Sequence, residues 1–291
     1  MSSEATLSEI CAIACAEAWR GSGEVLASPI GTIPTIGARL AALTFEPDLV
    51  YGDGDAVQLG APLPIGAPPD AEKVVEAWLP FGKMFDIVQS GKRHVMMGAT
   101  QIDRFGNQNI ACIGPWAKPK AQLLGVRGAP GNTVNHPTSY WVPAHGPRVF
   151  VEQVDCVSGV GYDRADAAGA TAVRFHHIHH VVSNKGVFDF ETPDHSMRIR
   201  SLHPGVTVDE VRELTSFELA VPDDVPESRL PTDEELQLIR EVLDPANARA
   251  AEVPDSSSCG ESLIATGPQV CRYCTSRVIA QAKMNSRSRK S

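Results

Sequence analysis

Residues 23–51 read GEVLASPIGTIPTIGARLAALTFEPDLVY, and their reading decides the fold. Residues 23–27 (GEVLA) have the apolar run of a buried strand, and SPIGTIP is the loop that follows. Residues 35–43 (TIGARLAAL) set apolar side chains at helical spacing, and residues 49–51 return to a short apolar strand. Strand, loop, helix and strand in immediate succession make a crossover unit. Such a unit predicts a parallel sheet with a right-handed connection, hence an α/β protein.

Outward from this unit, residues 7–20 form a helix. Leu7, Ile10, Ala14 and Ala18 share one face, Thr6 is placed to cap it and Gly21 follows its end. Residues 71–89 have a helical pattern broken at Pro80, and residues 94–99 (HVMMGA) read as a strand. Further strands are expected to begin at 122–124 and 148–151, with shorter ones at 171–175 and 186–190. Helices are expected over 207–213 and 232–243, the second opened by the capping-box-like TDEE. No repeat of fixed period is present.

With 291 residues and 43% hydrophobic content, the chain sustains a full-sized core. A net charge of −9 argues against a surface that coats nucleic acid. No apolar run reaches the roughly 20 residues that span a bilayer. The opening MSSEATLSEICAIACAEAW lacks the basic flank of a signal peptide, so a cytoplasmic location is expected. Seven cysteines, an odd count, point to free thiols, with Cys11 and Cys15 as apolar core residues. From Glu252 onward there are six Lys/Arg against three Asp/Glu, much Ser and little apolar periodicity. A folded domain over 1–251 and a poorly ordered tail over 252–291 are expected.

Four motifs invite chemistry. HHIHH at 176–180 offers imidazoles, but strand alternation sends His177 and His179 one way and His176 and His180 the other, so a surface strand without metal is expected. CRYC at 271–274, with Cys259 upstream, lacks a fourth ligand at zinc-site spacing. GATQIDRFGNQNIACIG at 98–114 contains a hairpin turn at Gly106-Asn107, beside which Gln101 and Asn107 are candidates to line a cleft. GVRGAPGNTVNHPTSYW at 125–141 is a glycine-rich loop of the kind whose N–H groups converge on an anion, although it is neither GxGxxG nor a P-loop.

Read in order, SPIGTIPTIGARLAAL, PDLVYGDGDA, GATQIDRFGNQN, LLGVRGAPG, SNKGVFDF and HPGVTVDEVRELTSFEL resemble the β subunit of family I CoA-transferases, of the glutaconate CoA-transferase type. The resemblance covers about residues 5–250. It implies an open three-layer α/β/α fold with a mostly parallel sheet. It also implies an active site completed by a separate α-type subunit, as an α2β2 assembly. The substrate it implies is an acyl-CoA, with no further cofactor and no metal.

In these transferases the strand after Pro-Asp leads to a glutamate that attacks the thioester. Counted from Pro47-Asp48, that position is Gly54, flanked by Asp53 and Asp55, whose side chains are one methylene shorter. A glycine of the family's GxGGA loop is replaced by Arg127, followed by Gly128-Ala129. Without the nucleophile, double displacement is disfavoured. The pattern is similar to a branch of two-subunit hydrolases that open the last ring of steroid-derived CoA thioesters. That resemblance implies Arg127, Gly128, Asp53 and Asp55 as catalytic candidates, and Gly54, Gln101, Asn107, Gly131 and Asn132 as substrate-binding candidates. An active transferase using Asp53 or Asp55, and a non-catalytic subunit supporting its partner, are the alternatives.

Overall fold

The computed structural model describes residues 4–54 and 56–254 of the chain. Asp55 and residues 255–291, which carry the CRYC pair and nearly all of the expected tail, lie outside the described residues. In chain order the first half contains α1 (Leu7–Glu17), β1 (Leu26–Pro29), α2 (Thr32–Leu43), β2 (Tyr51–Gly52), β3 (Val57–Leu59), β4 (Val75–Trp78), α3 (Phe81–Ser90) and β5 (Arg93–Gly98). Short strands β6 (Gln101–Ile102), β7 (Gln108–Asn109), β8 (Cys112–Ile113) and β9 (Ala121–Gln122) follow, then α4 (Ala129–Asn135) and β10 (Thr138–Val142). The remainder is α5 (Tyr162–Ala168), α6 (Ala170–Val173), β11 (Ile178–Ser183), β12 (Gly186–Asp189), β13 (Arg198–Leu202), α7 (Val208–Glu213) and α8 (Asp233–Gln237). A π-helical turn, Leu238–Leu243, continues α8.

Six strands form the central sheet in the order β1-β5-β10-β11-β12-β13. β1, β5, β10 and β11 run parallel, and β12 and β13 complete the sheet antiparallel. Strands buried on both faces feed two cores by simple alternation. Met96, Trp141, Val182 and Val187 face one core with α1 and α2. Val95, Met97, Tyr140, Val142, Val181 and Phe188 face the other, with Ala129 of α4 and Val211 of α7. The expected α/β/α layering is therefore present. Helices α1 and α2 nearly touch, because a Cβ on Gly37 would stand 2.8 Å from both Ala16 N and Cys15 Cβ. Cys11 and Cys15 are fully buried in this layer.

Thr6 caps α1 in a full capping box with Glu9, and Thr232 does the same for α8 with Glu235. Glu9 is completely buried and anchors an ionic network: Arg240 Nε and Arg249 Nη2 each lie 2.7 Å from its Oε1. Arg249 also pairs with Asp244 at 3.0 Å. Helix α2 has no side-chain cap of its own. Glu252 supplies one from far along the chain, accepting from Ile33 N at 2.9 Å and from Trp141 Nε1 at 2.8 Å.

Four sequence expectations are corrected. Residues 75–78 are a strand, because Val57–Leu59 pairs with them and the pairing overrides local helical preference. Residues 171–175 begin in a helix, α6, opened after Gly169. Residues 148–151 form no strand; Phe150 makes only a single bridge, to Ile102. The histidine-rich stretch is not a surface strand: β11 lies inside the sheet between β10 and β12, and His180 is buried.

Candidate active site

A cavity of about 430 Å³ opens beside β1 and β2. Its walls are β1 through Ile30, the 51–54 turn, Leu79, Phe81 and Met84, with Arg39 of α2 and Arg93 of β5. Asp53 and Gly54 thus stand at the cavity. Gly54 has φ +82°, and nothing lies within 4 Å of where its Cβ would be. Asp53 holds the turn: its Oδ1 accepts from Ala56 N at 3.0 Å and Val57 N at 3.2 Å. Its Oδ2 lies 2.7 Å from Lys73 Nζ.

Arg93 joins this cavity to the glycine-rich loop. Its Nε donates to Ser28 Oγ and its Nη1 to Asn132 Oδ1, both at 2.8 Å. Burial pushes its guanidinium down to about 10, which leaves it protonated at neutral pH. Asn132 is buried on α4 and serves here as the holder of Arg93. Gly128 is the residue before α4, and Gly131 faces Val88 of α3. Arg127, just ahead of them, has φ +50°. That left-handed conformation suits glycine and costs other residues about 1–2 kcal/mol. Arg127 is exposed and outside the cavity walls, and it makes no hydrogen bond or ion pair among the described residues.

Gln101 and Asn107 do not reach the cavity. Gln101 bridges Asp155 and Asn109 across the β6–β7 hairpin. Asn107 donates to Asp103 and Asp163 and accepts from Gly161 N at 2.8 Å. Both are buried supports of the turn, where Gly106 takes φ +82°. Sequence reading passed over Arg39, Lys73 and Arg93. An Arg at the head of the apolar run RHVMMG is the only local sign of the last.

His179 and His180 border a second cavity, of about 330 Å³, with Arg200, Arg229, Glu17 and Glu191. His94 is fixed between Ser22 Oγ at 3.2 Å and Ser139 Oγ at 2.9 Å, and its ring lies tilted against Trp19 and edge-on to His179. Burial pushes His94, His179 and His180 below the usual imidazole range, His179 to about 4, so the cluster is neutral at pH 7. Among the described residues no group of three His, Cys, Asp or Glu side chains is placed to hold a metal ion. No helix among them is long and apolar enough to cross a membrane.

No protein-family model matches the chain. It is 58% identical over 250 residues to the cholesterol ring-cleaving hydrolase IpdB subunit of Rhodococcus jostii (strain RHA1), covering 86% of this chain and 97% of that one. It is 31% identical to a subunit of the 3-oxoadipate CoA-transferase of Pseudomonas knackmussii, over 72% of this chain and 82% of the relative. The crystal structure of Rhodococcus jostii RHA1 IpdAB superposes with a TM-score of 0.82 at 57% identity, over 86% of this chain and 99% of that one. The chain belongs to the CoA-transferase β-subunit family, in the branch of the cholesterol ring-cleaving hydrolase IpdB subunits.

Proposed function

We propose that this chain is the β-type subunit of a hydrolase that opens the last ring of a steroid-derived cyclic β-keto acyl-CoA. It works with an α-type subunit as an α2β2 complex in the cytoplasm. The near full-length match to proteins named for cholesterol ring cleavage supports the substrate class. The observation that carries the mechanism is Gly54, a left-handed glycine facing open space at the turn where the transferases place their glutamate. Asp53, one methylene shorter, is committed to two backbone N–H groups and Lys73, which disfavours it as a substitute nucleophile.

The reaction is a hydrolytic retro-Claisen cleavage. A base removes a proton from water, and the hydroxide adds to the ring ketone. The tetrahedral oxyanion collapses to a carboxylic acid, the adjacent C–C bond breaks, and its electron pair enters the thioester as an enolate. Protonation of the enolate carbon completes ring opening with the CoA thioester intact. The chemistry needs a general base and donors for two developing oxyanions. This chain has no glutamate in the cavity turn, so the base is assigned to the α-type partner. Arg127 supplies a planar donor for the enolate oxygen or for a carboxylate on the ring.

The test runs the assembled complex in ¹⁸O-water with a cyclic β-keto acyl-CoA. The expected product is a ring-opened acyl-CoA with one ¹⁸O in its new carboxylate, no release of free CoA, and no enzyme thioester trapped by hydroxylamine or borohydride. A trapped glutamyl or aspartyl thioester overturns the reading in favour of a transferase. Gly54→Glu is expected to create no transferase activity and to lower ring cleavage at least tenfold. The new side chain is strained at φ +82° and enters the substrate's space. Unchanged kcat/KM in that variant would remove the turn from the reaction centre.

A further inference from the structure

The cavity beside Gly54 holds more positive charge than the described residues neutralise. Among the described residues, two guanidinium groups, Arg39 and Arg93, and one carboxylate, Asp53, line it. Asp53 is already met by Lys73 at 2.7 Å. Among the described residues neither Arg39 nor Arg93 forms an ion pair with a carboxylate. Arg39 Nη1 donates to the Leu63 carbonyl. Arg93 is held by two neutral acceptors, Ser28 Oγ and Asn132 Oδ1, each 2.8 Å away. Its Nη2 has no acceptor among the described residues. Ser28 and Asn132 therefore fix the plane of the guanidinium without cancelling its charge. A desolvated cation without a counter-ion is costly, and a bound anion removes that cost. Much of the remaining wall is apolar, with Ile30, Leu79, Phe81 and Met84, beside the hydroxyl-bearing Thr35 and Tyr51. A cation held rigidly against an apolar wall fits a compact alicyclic acid better than a nucleotide.

We propose that Arg93, oriented by Ser28 and Asn132 and supported by the charge of Arg39, seats a carboxylate carried on the ring of the substrate. This rests on the ring-cleavage reading, and it leaves Arg127 to the enolate oxygen. Arg93 is then a binding and specificity residue, and its signature is in KM.

The experiment compares the wild-type, Arg93→Met and Arg93→Lys complexes on a cyclic β-keto acyl-CoA with a free side-chain carboxylate and on its methyl ester. Arg93→Met is expected to raise KM for the acid about 10- to 100-fold, the range for a charge-assisted hydrogen bond, with kcat changed only a few-fold. The ester should be handled alike by all three enzymes, and Lys should restore part of the loss on the acid. Equal losses on acid and ester, or an unchanged KM for the acid, overturn the proposal. A raised inhibition constant for CoA itself, with acid and ester still alike, would assign the seat to a CoA phosphate and overturn it too. Calorimetry with glutarate reads the seat without turnover: wild type should bind it and Arg93→Met should not. If the wild-type complex cleaves neither ring substrate, the reaction reading has failed. Glutarate binding that is lost in Arg93→Met then still upholds the anion seat, and binding that is absent or unchanged sinks it.

Discussion

Arg127→Gly, in the assembled complex, is expected to lose about 10²- to 10³-fold in kcat/KM while melting no earlier than wild type. The size is that of removing one oxyanion donor from an active site. The direction of the stability change follows from the backbone. Arg127 takes φ +50°, a conformation in which glycine carries no Cβ penalty. Reverting to the glycine of the transferase loop therefore relieves strain. The exposed side chain makes no hydrogen bond or ion pair among the described residues whose loss would weaken the fold. An arginine kept at a glycine position at a cost in strain points to a task outside the chain's own packing. Arg127→Lys keeps the charge but not the planar fork, and is expected to recover only part of the rate. Wild-type kinetics in Arg127→Gly would sink the catalytic assignment, and early melting would make the residue structural.

The second large effect is on stability. Glu9→Ala is expected to cost about 3–5 kcal/mol, because it leaves Arg240 and Arg249 without their shared counter-ion at a buried site. In a folded unit of this size each kcal/mol is about 2–4 °C in Tm, so a fall of roughly 6–20 °C is expected. The network also sets an acid limit. Burial by itself raises the Glu9 carboxyl, but hydrogen bonds from Arg240 and Thr6 N–H and the charges of Arg249 and Arg240 override it and hold it at about 2. Its folded value lies below the usual 4.5, so its contribution is complete above 4.5 and is lost as pH falls from there toward 2. Urea unfolding of wild type and variant at pH 7 and pH 3 checks this. The gap between the two should narrow at the lower pH, and a gap that is constant with pH would exclude the charge as its source.

The 23–51 unit was legible because its signals are local: apolar runs, a glycine-rich loop and helical spacing. The first strand is nevertheless displaced, to Leu26–Pro29, since its register is set by pairing with Arg93–Met96 of the next strand in the sheet. Strand β10 was missed. It opens with Thr138 and Ser139, polar residues that are fully buried, and Ser139 Oγ is paired with His94. That pairing is invisible in the local pattern. At the site, the motif itself exposed Asp53 and Gly54. Arg93 was not legible, because its meaning depends on Ser28 and Asn132, 65 and 39 residues away. Gln101 and Asn107 drew notice as amides near a turn, yet their donors and acceptors are consumed within the hairpin and its neighbours.

The cap that Glu252 places on α2 has a bearing on how the protein is made. The first turn of α2, at Ile33, waits for a carboxylate 219 residues downstream, and Glu9 of α1 waits for Arg249, 240 residues downstream. On the ribosome, the helical layer that is synthesised first is therefore completed by some of the last residues of the folded unit to emerge. Until Arg249 and Glu252 leave the exit tunnel, Glu9 has no partner in Arg249 and the nascent chain exposes an unfinished apolar face. The strands of the central sheet are all synthesised by Leu202, so the sheet can pair first, and the α1–α2 layer is expected to lock last, once these two residues arrive.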